Sequence, residues 1–426
     1  MKSIELINAI NEGALDEKLI TLYGKDALGA AKERYIKAIE SFCKRFGDER
    51  QLSLFSVAGR SELSGNHTDH NRGCVVAASI SLDVIAVASP TCDGIVTVKS
   101  EGFDEDVVDL SVYTAPKENI EGHSEELIAG VAAGFRQNGY KVGGFDAYTT
   151  SNVLKGSGIS SSAAFEDMIG NILSHLYNDG QIDNVEIAKI SQYAENVFFG
   201  KPCGLMDQVA CAVGGIVGID FADPKAPVIE KLDFDMSAAG YKLCIVNTGG
   251  NHADLTDDYA SVPAEMKAVA KALGKSVLRE ADEKDVIAAI PTLRKTVGDR
   301  AILRALHFYA ENRRVKELTA ALKRNDLDAF LSGILASGRS SFCYLQNVYT
   351  TKNLTEQGLS LALCLSDTTL SGKRAAWRVH GGGFAGTIQA FVPDSETENF
   401  RKVMDAALGE GCCMVRRIRP VGAVKI

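Results

Sequence analysis

Residues 145–176 run from an alternating strand through a glycine- and serine-rich turn into an amphipathic helix, a succession that favours folds joining a strand directly to a helix. Residues 145–153 alternate in the manner of a strand, and Phe165, Met168, Ile169, Ile172, Leu173 and Leu176 then recur at spacings of three and one, on one buried stripe. Between them, residues 152–162 read Asn-Val-Leu-Lys-Gly-Ser-Gly-Ile-Ser-Ser-Ser. The first N–H groups of a helix have no partner within it, and the macrodipole adds positive charge there, so such a turn suits a phosphate. Gly156 and Gly158 carry no Cβ and admit close approach of a ligand. Glycine and serine also cap ordinary helices, and from this segment alone both readings stand.

Two familiar phosphate motifs are not met. A Walker loop fails because Gly372-Lys373 is followed by Arg374 and no glycine stands at position 367. A dinucleotide fingerprint begins with Gly156 and Gly158, but Ser161 occupies the third glycine position, where close helix packing is required. Asp179, near the distance of a ribose ligand, sits in an Asn-Asp-Gly turn. A nicotinamide-dependent dehydrogenase is therefore disfavoured.

At 426 residues the chain exceeds what one core usually organises, so two lobes with a cleft between them are expected. The net charge of −9 argues against nucleic acid and anionic membrane as partners, so an anionic ligand needs a local device. The ten cysteines show no C-x-x-C pair and read as buried hydrophobes in a reducing compartment. Acidic residues run through the first 23 positions, unlike a signal or transit peptide, and a cytoplasmic location is expected. The longest apolar stretch, residues 74–88, contains Asp83, falls short of the roughly 18 residues of a membrane helix, and reads as strand. Strand-like and helix-like segments alternate to the end, which predicts an α+β or mixed α/β enzyme.

Three further segments concentrate chemistry. Residues 58–73 gather Arg60, Glu62, Asn66, His67, Asp69 and His70 between two strand-like runs, either a binding loop or a solvated turn. His67 and His70 lack the further ligands that a zinc site needs. A helix with Ile187, Ile190, Ala194, Val197 and Phe198 on its apolar side leads to residues 203–210, a second helix start with Asp207 in its first turn, where an acid also serves as an ordinary cap. Near the C-terminus, His380-Gly381-Gly382-Gly383-Phe384-Ala385-Gly386 precedes a strand over 387–392.

In this order the segments resemble the GHMP kinases, and within them the galactokinase group. Residues 59–71 are similar to that group's signature, Pro-Gly-Arg-Val-Asn-Leu-Ile-Gly-Glu-His-Thr-Asp-Tyr-Asn; residues 156–164 are similar to the family's phosphate loop, and 381–386 to its third motif. Ala194-Glu195-Asn196, residues 203–208, 304–307, 311–314 and 325–330 extend the similarity over most of the chain. The resemblance implies an α+β, two-lobed fold of mixed sheets and helices, with an N-terminal domain over 1–220, a C-terminal domain over 221–426 and the active site in the cleft between them. It implies ATP-dependent phosphorylation of a sugar, at the anomeric hydroxyl in galactokinases, with Mg2+; a monomer or weak homo-oligomer is expected.

Residue by residue, the resemblance implies Asp207 as the catalytic aspartate and Arg60 as the arginine beside it. Lys155, Gly156, Ser157, Gly158, Ile159, Ser160, Ser161 and Ser162 would hold the nucleotide phosphates, with Ser162 and Glu195 holding magnesium. Asn66, His67, Asp69, Gly204 and Tyr259 match positions that contact the sugar. Asn66 replaces a glutamate, His70 replaces a tyrosine, and residues 349–356 replace the usual Val-Ser-Cys-Pro-Glu-Leu-Asp. Because an amide can donate where a carboxylate only accepts, Asn66 is expected to face the substrate and to admit a uronate or acetamido sugar beside galactose. A non-catalytic sugar sensor is the rival reading; the intact serine run, Arg60 and Asp207 favour an enzyme.

Overall fold

The computed structural model describes residues 1–116, 122–153, 160–201, 203–249 and 255–426. Its spine is β2 (Cys74–Pro90), a 17-residue strand buried on both faces, which is why its sequence reads as a continuous apolar run rather than an alternation. Along most of its length β2 pairs with β1 (Ser53–Ser64). Near its start it pairs with β6 (Ile216–Asp220), and towards its end with β5 (Phe145–Ser151). β3 (Ile95–Ser100) joins β5 in parallel, β4 (Glu105–Asp109) and β7 (Val228–Leu232) extend the two edges, and β12 (Val424–Lys425) pairs with β1.

Side chains alternate across this sheet. Phe55, Ala86 and Ala88 pack against α4 (Ser124–Gln137), α5 (Ser161–Tyr177) and α6 (Asn184–Tyr193), while Leu54, Ile85 and Val87 meet α1 (Ser3–Asn11), α2 (Asp16–Tyr23) and α3 (Leu28–Phe46). Met168, Ile169, Ile172 and Leu173 on the stripe of α5 are all buried. Asp83 on β2 is fully buried and holds three parts of the chain together: it accepts from Arg34 on α3, from Tyr23 on α2 and from Arg419 near the C-terminus.

A second antiparallel sheet runs β11 (Cys413–Arg416), β8 (Tyr241–Asn247), β10 (Thr387–Pro393), β9 (Ala376–Val379). α12 (Gly358–Leu370) and α13 (Asp394–Leu408) cover one face, and α11 (Leu327–Ser340) covers the other, where Phe330 meets Phe391 edge-on at 5.2 Å. α8 (Thr256–Ala272), α9 (Glu283–Thr296) and α10 (Asp299–Lys323) form a helical cluster beside it. α7 (Met206–Val213) lies against β1 and β2.

The expected division at residue 220 falls within the first sheet, because β7 pairs with β6 across it and β12 returns to β1 after the second sheet is complete. Val197, expected on the apolar side of its helix, is 38% exposed, because residues 194–198 form a π turn whose wider repeat rotates it outward. Cys92, Cys343 and Cys364 are exposed rather than buried. Among the described residues no helix is long and apolar enough to cross a membrane.

Candidate active site

Irregular pairing with β2 between Ala58 and Arg60, and again between Glu62 and Ser64, bends β1 where its side chains change from apolar to charged. Arg60 and Glu62, two residues apart, share one face of the strand and line a cavity of about 210 Å³ with His67, Asp69, Gly204 and Asp207. Arg60 grips Asp207, in the first turn of α7, with two parallel hydrogen bonds: Nε to Oδ1 at 2.7 Å and Nη2 to Oδ2 at 2.8 Å. Ser160, the N-cap of α5, lies in the left-handed region at φ 58° and donates its hydroxyl to Asp207 Oδ2. Burial would raise the Asp207 pKa, but the Arg60 charge and the hydrogen bonds from Arg60 and Ser160 outweigh it and hold the carboxyl below its ordinary range. Two elements distant in sequence thus present an ionised carboxylate at the start of α5.

Glu195 lies in the π turn after α6. Its Oε1 accepts from Ser162 at 3.2 Å and from the Lys201 ammonium at 2.8 Å, and its Oε2 accepts from Gln208 at 2.8 Å. Ser162 and Glu195 offer hard oxygen donors beside the helix start, a set that fits magnesium, which is commonly held by one or two protein oxygens plus phosphate and water. Lys201, with its side chain 60% exposed, reaches the buried Glu195 carboxylate from the solvent side. Below this pair Glu166 and Asp167 are buried; lost hydration, with the Glu195 charge nearby, pushes both carboxyls well above their ordinary range.

The loop after β1 is fastened from the second half of the chain. His307 Nε2 donates to the Asn66 carbonyl and its Nδ1 accepts from Ser340 Oγ, Glu311 accepts from Gly65 N and Ser64 Oγ, and Asn312 accepts from Cys74 N. His67 Nε2 lies 2.9 Å from the Gly382 carbonyl, which can only accept, so Nε2 carries the proton. Burial lowers the His67 pKa to about 4, leaving a neutral ring with Nδ1 as an acceptor. Gly204 stands where a Cβ would lie 2.5 Å from Asp69 Oδ2, so its lack of a side chain keeps Asp69 in place.

Two sugar-side expectations are altered. Asn66 is fully buried and its amide is closed within the protein: Nδ2 donates to Glu62 Oε1 at 2.9 Å and to the Gly381 carbonyl at 2.7 Å, while Oδ1 accepts from Asn347 at 2.8 Å and Ser341 at 3.2 Å. It has no donor left to face a substrate. Tyr259 stands behind the glycine turn, with its hydroxyl donating to the Gly383 carbonyl at 2.8 Å and its ring edge-on to Phe384 at 5.4 Å. Lys155, Gly156, Ser157, Gly158 and Ile159 lie outside the described residues, whereas Ser160, Ser161 and Ser162 stand at the start of α5.

Glu62, Lys201 and Gln208 enter the site without having been singled out for it in the sequence. Glu62 lay in view within the charged loop; Lys201 and Gln208 flank Glu195 only through the turn between α6 and α7.

Residues 126–215 match the GHMP kinases N terminal domain, and residues 40–90 match the galactokinase galactose-binding signature. A galactokinase from Streptomyces coelicolor is 30% identical over 86% of this chain and 91% of its own length. The chain belongs to the galactokinase group of the GHMP kinases. A galactokinase from Lactobacillus helveticus is 32% identical over 87% of this chain and 92% of its own. The galactokinase of Lactococcus lactis, solved in complex with galactose, shares the fold at a TM-score of 0.75 and 24% identity, covering 91% of this chain and 98% of that one. A mevalonate kinase shares it more distantly, at 0.60 and 14% identity over 86% of this chain and 98% of that one. The α+β fold expected from the motifs is the galactokinase and GHMP kinase fold.

Proposed function

We propose that the protein transfers the γ-phosphoryl group of ATP to the anomeric hydroxyl of galactose, giving galactose 1-phosphate and ADP. The supporting observation is the position of Asp207, an ionised carboxylate on the wall of a sugar-sized cavity, hydrogen-bonded to the serine that opens the phosphate-side helix. Phosphoryl transfer asks chiefly for positioning and charge neutralisation, and this arrangement supplies both.

In this reading Asp207 accepts a hydrogen bond from the attacking hydroxyl and turns its oxygen toward the γ-phosphorus. The new oxygen–phosphorus bond forms as the bond to the ADP leaving group breaks. An acid held below its usual pKa is a weak proton acceptor, so the proton moves to Asp207 late, when the hydroxyl has become strongly acidic, and passes on to solvent. Arg60 keeps Asp207 ionised and oriented, and the free N–H groups at the start of α5 face the phosphates. Ser162 and Glu195 would hold magnesium, which when bound neutralises phosphate charge.

The cavity favours a neutral sugar. Asp69 and Asp207 set two carboxyl groups around it against the guanidinium of Arg60, His67 is neutral, and Glu62, whose carboxyl burial pushes above its ordinary range, is paired with Arg378. Hydroxyl donors suit those acceptors, whereas a uronate carboxylate would be repelled by them. With the Asn66 amide closed, no donor at that position offsets the repulsion. The presence of Arg60, Asp207, Ser162 and Glu195 together supports an enzyme over a non-catalytic sensor.

The test is ADP release across galactose, galacturonate and N-acetylgalactosamine, with and without magnesium. Galactose should be preferred to galacturonate by at least a hundredfold in kcat/KM and require the metal, for roughly 2.7 kcal/mol of discrimination. Comparable turnover of galacturonate would overturn the substrate reading, and no ADP release with any sugar would overturn the kinase reading.

A further inference from the structure

The contact between Glu62 and Asn66 places a second specificity device in the cavity. Glu62 Oε1 accepts from Asn66 Nδ2 at 2.9 Å and from Arg378 Nη2 at 3.3 Å, and Arg378 is itself fully buried. Arg378 is in turn fixed by hydrogen bonds to the carbonyls of Leu63 and Val379. Asn66 and Arg378 both donate to Oε1 and hold that oxygen in place. No donor among the described residues reaches its second oxygen, Oε2, and the residue lines the cavity. Burial pushes the Glu62 carboxyl above its ordinary range, and a carboxyl oxygen on the cavity wall without a donor is a site for a ligand hydroxyl.

Arg60 and Glu62 lie on one face of β1, so their Cα atoms stand about 7 Å apart along the strand with the cavity beside both. Asp207 is gripped by Arg60 at one end, and Glu62 marks the other. A hexose ring seated with its reacting hydroxyl at Asp207 would bring hydroxyls from its opposite side to Glu62. The group's signature has asparagine where this chain has Glu62 and glutamate where it has Asn66, so the two residue types have exchanged positions and remain hydrogen-bonded to one another.

We propose that Glu62, through its open Oε2, accepts a hydrogen bond from a substrate hydroxyl remote from the anomeric carbon, and that it sets sugar specificity in place of Asn66. This rests on the galactokinase reading of the site. Glu62 contacts substrate, and Asn66 and Arg378 position Glu62.

The experiment measures galactose binding to the full chain by calorimetry, without nucleotide, for the wild-type protein, Glu62→Gln, Glu62→Asn and the exchange variant Glu62→Asn/Asn66→Glu. Each is paired with the 2-, 3-, 4- and 6-deoxygalactose series, and melting temperature checks folding. Glu62→Gln should weaken galactose binding by about ten- to a hundredfold while leaving the KM for ATP unchanged. One deoxy sugar should bind the wild type and Glu62→Gln equally, because the hydroxyl that Glu62 reads is absent from it. The exchange variant should recover binding to within several-fold of the wild type, and the single substitution Glu62→Asn should not.

A purely structural role for Glu62 predicts the same loss for every sugar in the series, and that additive pattern would overturn the proposal. Unchanged galactose affinity in folded Glu62→Gln would overturn it as well. If the wild type neither binds nor phosphorylates galactose, the substrate reading itself fails. If the wild type does both and only the Glu62 coupling is absent, the present inference alone fails.

Discussion

Arg60 holds Asp207 through both of its carboxylate oxygens, at 2.7 and 2.8 Å, although the two residues are 147 positions apart in sequence. The pair is asymmetric: the arginine side chain is 8% exposed, while the aspartate side chain is 32% exposed and faces the cavity. Arg60 therefore acts as a buried fixture, and Asp207 presents its charge to whatever enters.

Replacing that charge should separate activity from folding. Asp207→Asn keeps the size of the side chain but removes the acceptor that would turn the sugar hydroxyl. Steady-state ADP release should fall by about a hundred- to ten-thousandfold, with the circular dichroism spectrum retained. Near-normal turnover would remove Asp207 from the chemistry. The folded-state pKa is depressed, so the stability contributed by the native pair is present above the unfolded value and is lost as pH falls through the folded one.

Gly204→Ala tests the sugar side. Its new Cβ would meet Asp69 Oδ2 at 2.5 Å, so the carboxylate must shift. The KM for galactose should rise by about tenfold, equivalent to roughly 1.4 kcal/mol, without change in the KM for ATP. Equal changes in both would show that the alanine disturbs the whole cleft rather than Asp69.

His67 should stay neutral to low pH. Burial lowers its pKa to about 4, so between 6.5 and 4 the unfolded chain binds a proton that the folded chain refuses. The contribution of this group to stability is complete above pH 6.5 and declines as pH falls across that window. Imidazole NMR shifts followed from pH 8 to 4 should show His67 titrating at the lower end. A midpoint near 6.5 would contradict a ring donating from Nε2 to the Gly382 carbonyl in a desolvated place.

Asp83→Ala should destabilise the fold by about 3–5 kcal/mol, because removing one partner leaves the other charges buried without compensation. Arg419 is fully buried beside it, and Arg34 reaches it from α3. Urea unfolding should give a lower midpoint. An unaltered midpoint would mean that the N-terminal helices and the C-terminal segment are held to the sheet by other contacts.

The local elements of the site were legible because their causes are local. The stripe of Met168, Ile169, Ile172 and Leu173 specifies α5, and the apolar run of residues 74–88 specifies a strand buried on both faces. Asp207 at a helix start and Glu195 before a glycine-bounded turn could be seen in the same way. Lys201 could not be placed, because its approach to Glu195 depends on a π turn that periodicity at 3.6 does not anticipate.

Asn66 marks the boundary most clearly. Sequence determined that an asparagine stands beside His67 in a polar loop between two strands; it did not determine where the amide points. That direction was decided by Gly381, Ser341 and Asn347, which lie 275 to 315 positions away and reach Asn66 only when the two halves of the chain pack together. Backbone conformation follows from neighbours along the chain, whereas a buried polar side chain turns to whichever partners satisfy its hydrogen bonds, and those partners are supplied by the tertiary fold.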